Sequence, residues 1–240
     1  MPNRPIRIVL VRPRNPLNIG ACARAMANFG LSDLVVVDPY EPIWKEARSA
    51  PGAEALLEKA RAVATFAEAV DGMAIVVGTT SLHQRSSFEH AVVELPNVNR
   101  YLSDFASSDP LAIVFGSERS GLSNDELAAC RAVFHIPTQR ATPSMNLGQA
   151  VAVVGYELAR SGWEPPTGPG VAPAQDLETL IQTVAGLGEA SDYPPGYAAS
   201  DRLGRIRNAL HAARLPPATV HFLLSLTRHL RKVLDRTGSA

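Results

Sequence analysis

Five short apolar runs punctuate the first two thirds of the chain: IRIVLV (6–11), LVVVD (34–38), MAIVVGTTS (73–81), LAIVFGSERSGLS (111–123) and AVFHIPTQRATPS (132–144). Apart from Arg7 in the first, each opens with consecutive β-branched or other apolar residues. That is the pattern of a strand buried on both faces. The last three runs end in loops of Gly, Ser and Thr. Between the runs the spacing turns helical. IGACARAMANFG has Asn18 as a plausible N-cap and Gly30 at the C′ position. Shorter helical patterns lie around Trp44–Arg48, Ala53–Lys59 and NDELAAC, and AVAVVGYEL (150–158) closes the series. Strand, loop and helix in repetition predict an α/β fold: a mostly parallel sheet with helices on both faces. In such sheets, the loops beyond the carboxyl ends of the strands form the ligand crevice.

The texture changes at Trp163. GWEPPTGPGVAP is a Pro/Gly linker. QDLETLIQTVAGLG is helical, SDYPPGY breaks the pattern, and DRLGRIRNALHAARL and PATVHFLLSLTRHLRKVL read as two amphipathic helices. The expected organisation is a sheet domain over 1–163, a linker over 164–174 and a small helical extension over 175–240.

Composition narrows the classes. Of 240 residues, 46% are hydrophobic and 19% charged, so a sizeable core is expected. Net charge is zero, but residues 201–240 carry eight basic and two acidic side chains, a net of +6, which the remainder balances. That asymmetry fits either an anionic partner or a solvated, Arg-rich helix face. Two cysteines exclude a disulfide framework and a Cys-based zinc cluster, and the six histidines lack metal-ligand spacing, so no metal is expected. There is no apolar leader or long apolar run, so the expectation is a soluble cytoplasmic protein without membrane contact.

Several chemistries lack their motifs. There is no G-x-x-x-x-G-K-[ST], no G-x-G-x-x-G after the first strand and no G-x-S-x-G. Ser144, His135 and Glu118 can be assembled on paper into a triad, but His135 sits inside a strand. Other residues stand out. Arg24 lies one turn after Gly20 in a helix of small residues, where it either faces a partner or points to solvent. Asn18 would turn its amide toward the same end of the sheet. Glu118 and Arg119 sit on a Gly-bounded loop. Ser144 and Asn146 sit where a loop becomes a helix. Capping alone explains Ser144, whereas the three Gly/Ser/Thr loops together favour a shared site.

NPLNIGACARAMANFGL, IVFGSERSGLSNDEL and IPTQRATPSMNLGQAVAVVGYEL resemble the three motifs of the SpoU/TrmH family, SPOUT-class RNA ribose 2′-O-methyltransferases. Their cores are N-x-G-A-x-x-R, G-x-E-x-x-G-L and S-x-N-L, in order and far apart, over roughly residues 5–160. IRIVLV, VVGTTS and the basic tail are similar to the TrmJ-type branch, which methylates nucleotide 32 of the tRNA anticodon loop; the alternatives are a 2′-O-methyltransferase for ribosomal RNA or another tRNA position, or a catalytically silent RNA-binding factor on the same scaffold. The resemblance implies a C-terminal trefoil knot, in which the third motif threads a loop, and a homodimer with the active site at the subunit interface. It implies S-adenosyl-L-methionine as cofactor, held by Thr79, Thr80, Ser81, Gly116, Ile136, Pro143, Ser144 and Met145. Asn18, Arg24, Glu118, Ser144 and Asn146 match the family's catalytic or substrate positions. The tail, with Arg202, Arg205, Arg207, Arg214, Arg228, Arg231 and Lys232, would supply affinity for the tRNA backbone.

Overall fold

The computed structural model describes residues 4–40, 50–82, 91–160 and 170–237. The chain divides into two compact units, Met1–Gly168 and Pro169–Ala240. Seven strands build the first: β1 (Ile6–Val11), β2 (Asp33–Val37), β3 (Arg61–Val63), β4 (Ile75–Thr79), β5 (Ala91–Glu94), β6 (Leu111–Phe115) and β7 (Ala132–His135). They form one sheet in the order β3-β2-β1-β6-β4-β7-β5. Every pairing between these strands is parallel. All five residues of β6, and Ile8 to Val11 of β1, are buried in succession, so both faces of the central sheet are covered.

Among the described residues, the helices of this unit are α1 (Pro16–Asn28), α2 (Glu54–Lys59), α3 (Phe66–Val70), α4 (Val98–Leu102), α5 (Asn124–Ala128) and α6 (Leu147–Arg160). The helical pattern around Trp44–Arg48 and residues 164–169 of the expected linker lie outside the described residues. Helices α1 and α6 pack along a seam of small side chains. A Cβ on Gly148 would stand 2.6 Å from the Cβ of Ala21, and one on Gly155 would stand 2.8 Å from the Phe29 ring. The absent side chains let the two helices approach this closely, which fixes the first motif segment against the third. Near the chain start, buried Arg4 donates to the carbonyls of Asp109 (2.7 Å), Phe105 (3.2 Å) and Leu102 (3.3 Å). Burial pulls its pKa down to about 10, against the opposing charge of Asp109.

Two helix starts differ from the sequence reading. The N-cap of α1 is Asn15, whose side chain accepts from Leu17 N at 3.0 Å. Pro16 occupies the first helical position, where its fixed φ and missing N–H suit the helix start. Asn18 is therefore inside the first turn, with its amide free for contacts across the fold. At α6 the cap is made by Asn146, whose Oδ1 accepts from Gly148 N (3.0 Å) and Gln149 N (3.4 Å). Ser144 is left to the loop.

The second unit comprises α7 (Ala174–Ala190), α8 (Ala199–Ala212) and α9 (Pro217–Thr237). Its core is small: Ala172, Leu177, Leu180, Ile181, Val220 and Leu224. No residue of α8 is fully buried. Helix α9 exposes Phe222, Leu226 and Leu230 along one side. Among the described residues, no helix is long and apolar enough to cross a membrane.

Candidate active site

The loops after β4, β6 and β7 enclose a cavity of about 680 Å³. All eight residues expected around a cofactor line it: Thr79, Thr80, Ser81, Gly116, Ile136, Pro143, Ser144 and Met145. Glu118 and Arg119 also line it, and Phe115, Phe134 and Leu147 give it apolar wall. The loop after β6 turns tightly, with Gly121 N donating to Ser117 O at 2.8 Å. It closes so near its own start that a Cβ on Gly116 would meet the backbone of Gly121 at 2.2 Å. Only glycine allows this return, which leaves the backbone bare toward the cavity. Opposite, Thr79 donates its hydroxyl to Val114 O (3.0 Å) and Thr138 donates to Pro143 O (3.0 Å), bracing both flanking loops from within.

Behind the cavity runs a chain of hydrogen bonds that joins all three motifs. Asn18 Nδ2 donates to Glu118 Oε1 at 2.6 Å. Asn146 Nδ2 donates to Asn18 Oδ1 at 2.8 Å. Asn146 Oδ1 then accepts from the first N–H groups of α6. At the other end Glu118 Oε2 accepts from Arg14 N at 3.4 Å. Chemistry fixes the direction of this relay. An ionised carboxylate only accepts and a backbone N–H only donates, so each amide between them has a single workable orientation. Asn18 is 9% exposed, and losing either partner would leave its polar atoms unsatisfied.

A second link holds the same loops. Arg12, at the end of β1, donates through two nitrogens to Glu126 of α5, at 2.6 and 2.9 Å. Glu126 also closes a capping box with Ser123, accepting from Ser123 N at 2.7 Å while Ser123 Oγ accepts from Glu126 N at 3.2 Å. Burial works to raise the Glu126 carboxyl, but Arg12 and Ser123 outweigh it and hold its pKa below the usual carboxylate range. Nothing local in the sequence marks this pair, because its members are 114 residues apart.

The other candidates fall as follows. Ser144 is an exposed cavity residue. Asn18 and Asn146 stand behind the cavity, not in its lining. Arg24 is exposed on α1 and does not line the cavity. It shares a helix face with Leu17, seven residues earlier and 74% exposed. The Ser-His-Glu triad does not form. His135 Nδ1 lies 3.1 Å from Thr80 O, and that carbonyl requires the hydrogen on Nδ1, while Glu118 is committed to Asn18. Both cysteines are buried, which pushes the Cys22 and Cys130 thiols well above their ordinary pKa and leaves no thiolate nucleophile. Among the described residues, no group of three or more His, Cys, Asp or Glu could hold a metal. In the helical unit, Arg202 pairs with Asp192, Arg207 pairs with Glu178 at 2.7 Å, and Arg205 stacks on Tyr197 with 4.5 Å to the ring centre. Arg228, Arg231 and Lys232 are exposed on α9.

Residues 5–156 match the SpoU rRNA Methylase family, a stretch that contains the cavity, the relay and all three motifs. The chain belongs to that family. Among its relatives is the tRNA (cytidine/uridine/adenosine-2′-O-)-methyltransferase TrmJ of Pseudomonas aeruginosa, 39% identical over 159 residues, which are 66% of this chain and 61% of that protein. LasT of Escherichia coli, described as an uncharacterized tRNA/rRNA methyltransferase, is 36% identical over 73% of this chain and 77% of its own length. The match thus spans less than two thirds of the Pseudomonas relative. The crystal structure of TrmJ from Z. mobilis ZM4 superposes with a TM-score of 0.77 at 31% identity, over 94% of this chain and 98% of that one.

Proposed function

We propose that this SpoU-family chain transfers a methyl group from S-adenosylmethionine to a ribose 2′-hydroxyl of tRNA, at nucleotide 32 of the anticodon loop. One observation carries the reading: the residues nominated for the donor line a single cavity, and a directional relay braces that cavity through all three motifs. The cavity fits the donor's chemistry. Phe115, Phe134 and Leu147 offer apolar surface to an adenine, the loop hydroxyls and bare backbone suit polar groups, and Glu118 and Arg119 flank the charged end. The donor supplies a methyl already activated on a sulfonium. On transfer its carbon–sulfur bond breaks with the electron pair going to sulfur, an oxygen–carbon bond forms, and the 2′-hydroxyl proton leaves to solvent.

The chain's residues therefore act chiefly by positioning. The Glu118–Asn18–Asn146 relay holds the three loops at fixed distance, and Ser144 faces the donor. The implied knot would pass the third motif through the second and tie these loops further. Arg24 stands apart from the cavity of its own subunit. This suits a homodimer in which the face of Leu17 and Arg24 meets a second copy and the site is completed at the interface. A guanidinium remains a cation near neutral pH, so Arg24 is assigned to the phosphate beside the target ribose and to developing oxyanion charge. Arg205, Arg214, Arg228, Arg231 and Lys232, with the internally paired Arg202 and Arg207 beside them, would hold the tRNA backbone from a helical region over 175–240. The linker over 164–174 would separate it from the catalytic domain over 1–163. A tRNA substrate would suit a cytoplasmic protein.

Tritiated methyl transfer to bulk tRNA and to ribosomal RNA, followed by nucleoside mapping, tests the reading. Label in tRNA at a 2′-O-methylpyrimidine of position 32 supports it. Label only in ribosomal RNA moves the substrate, and no label with no donor binding by calorimetry defeats it. Arg24→Lys keeps the charge but loses the two-pronged fork, so activity should fall sharply while donor affinity holds.

A further inference from the structure

A second hollow, about 660 Å³, lies against the donor cavity. The two share Ile136, Thr138, Ser144 and Met145, so they have a common wall. They differ in charge. The donor cavity has Glu118 and Arg119 in its lining, whereas no residue lining the second hollow is ionisable. Its polar groups are hydroxyls and two side-chain amides, Gln139 and Gln149.

We infer that this hollow receives the base of the target nucleotide, and that Gln139 and Gln149 read the base's hydrogen-bonding edge. The inference rests on the methyl transfer proposed above. In that reaction the acceptor oxygen must touch the donor's methyl, so the acceptor nucleoside has to occupy space that adjoins the donor's. A phosphate would call for cations, and the lining has none. A purely apolar ligand would leave two amides without partners. A base has apolar faces and a polar edge, which matches Ile136 and Met145 beside the two glutamines.

Both amides are carried on fixed backbone. Thr142 N donates to Gln139 O at 3.0 Å, closing a turn that presents Gln139. Gln149 N donates to the Asn146 cap, which sets Gln149 in the first turn of α6. The relay that braces the donor loops therefore also sets one reading residue. Neither side-chain amide bonds to a described residue. An amide offers a donor and an acceptor and can turn over, so it can meet the N4 amino group of cytosine or the O4 of uracil. A carboxylate only accepts and favours cytosine N4.

The test uses two RNAs of one sequence, differing only in cytidine or uridine at the methylated position. The full chain is compared with Gln139→Glu, Gln149→Glu and the two alanine variants. Three quantities are read: kcat/KM on each RNA, RNA affinity by anisotropy without donor, and affinity for S-adenosylhomocysteine by calorimetry. At least one glutamate variant should shift the cytidine-to-uridine ratio toward cytidine by about tenfold, the size of one specific edge contact. The alanine variants should weaken both RNAs while the S-adenosylhomocysteine affinity stays unchanged. An unchanged ratio in both glutamate variants overturns the assignment. So does a loss of S-adenosylhomocysteine affinity equal to the loss for RNA, because the hollow would then belong to the donor. Failure of the underlying reading looks different: the unmodified chain would bind no donor and label neither RNA. The donor-free anisotropy would still report on the glutamines.

Discussion

The sheet unit and the helical unit tie their polar groups in different ways. In the sheet unit the decisive links run across the whole chain: Arg12 to Glu126, Asn18 to Glu118, Asn18 to Asn146 and Arg4 to Asp109 are each about a hundred or more residues apart. In the helical unit Arg202 reaches Asp192 ten residues away, and Arg207 reaches Glu178 across 29. The first kind of link is partly or wholly buried and joins segments far apart in the chain. The second joins neighbouring segments of a small bundle, in an exposed bond at Asp192 and a part-buried one at Glu178. Removing one should change the geometry of a site, whereas removing the other should change little beyond local charge.

The largest effect is expected at Glu118. Glu118→Ala leaves the Asn18 amide with an unmet donor and frees the loop after β6. Methyl transfer should fall by about 100-fold, the scale of a 1 Å misplacement of reacting groups. Kinetics on the purified variant, with circular dichroism to show that the sheet persists, would check it. Glu126→Gln comes next. It removes the charge that Arg12 meets with two hydrogen bonds and should cost about 2 kcal/mol at pH 7 in urea unfolding. The pH dependence has a definite sign. Because the folded carboxyl titrates below its unfolded value of about 4.3, its contribution is fully present above that value and is lost as pH falls through the folded pKa. The variant should lose less stability between pH 5 and pH 3 than the parent does.

Gly148→Ala tests the helix seam. Its new methyl would sit 2.6 Å from the Ala21 Cβ, so α1 and α6 must separate, at about 1–3 kcal/mol. Urea midpoints would show it, and the relay should weaken with it because Asn146 caps the same helix. The smallest effect belongs to Asp192→Ala, which removes a carboxylate that is 75% exposed from its pair with Arg202 and should change stability by under about 1 kcal/mol. A loss as large as that of Glu126→Gln would erase the contrast between the units.

The same contrast explains what could be foreseen from the sequence. The five apolar runs became five strands of the sheet because each is apolar enough to be buried on both faces. The short β3 and β5 were not foreseen. Arg61–Val63 and Ala91–Glu94 lie at the two edges of the sheet, mostly exposed, and pair because of where the fold places them. The cavity residues were legible because they sit in motif loops at strand ends. The roles of Asn15 and Asn146 as caps were not, since several neighbouring polar residues could serve and Pro16 and the relay decide among them. Arg12 and Glu126 gave no signal, and the pairing of Arg202 and Arg207 with acids from other segments is equally invisible to a count of charge.

The order of the strands carries one more consequence. The middle of the sheet, β1-β6-β4-β7, interleaves early and late segments, and the Asn146 that completes the relay follows all of them in the chain. During synthesis, Asn18 and Glu118 must wait for a segment that leaves the ribosome last among the sheet unit's motifs. Such non-local closure is slow compared with helix formation. A nascent chain stalled before residue 146 would thus hold most of its sheet without the completed relay, and maturation of this chain would be timed by its third motif.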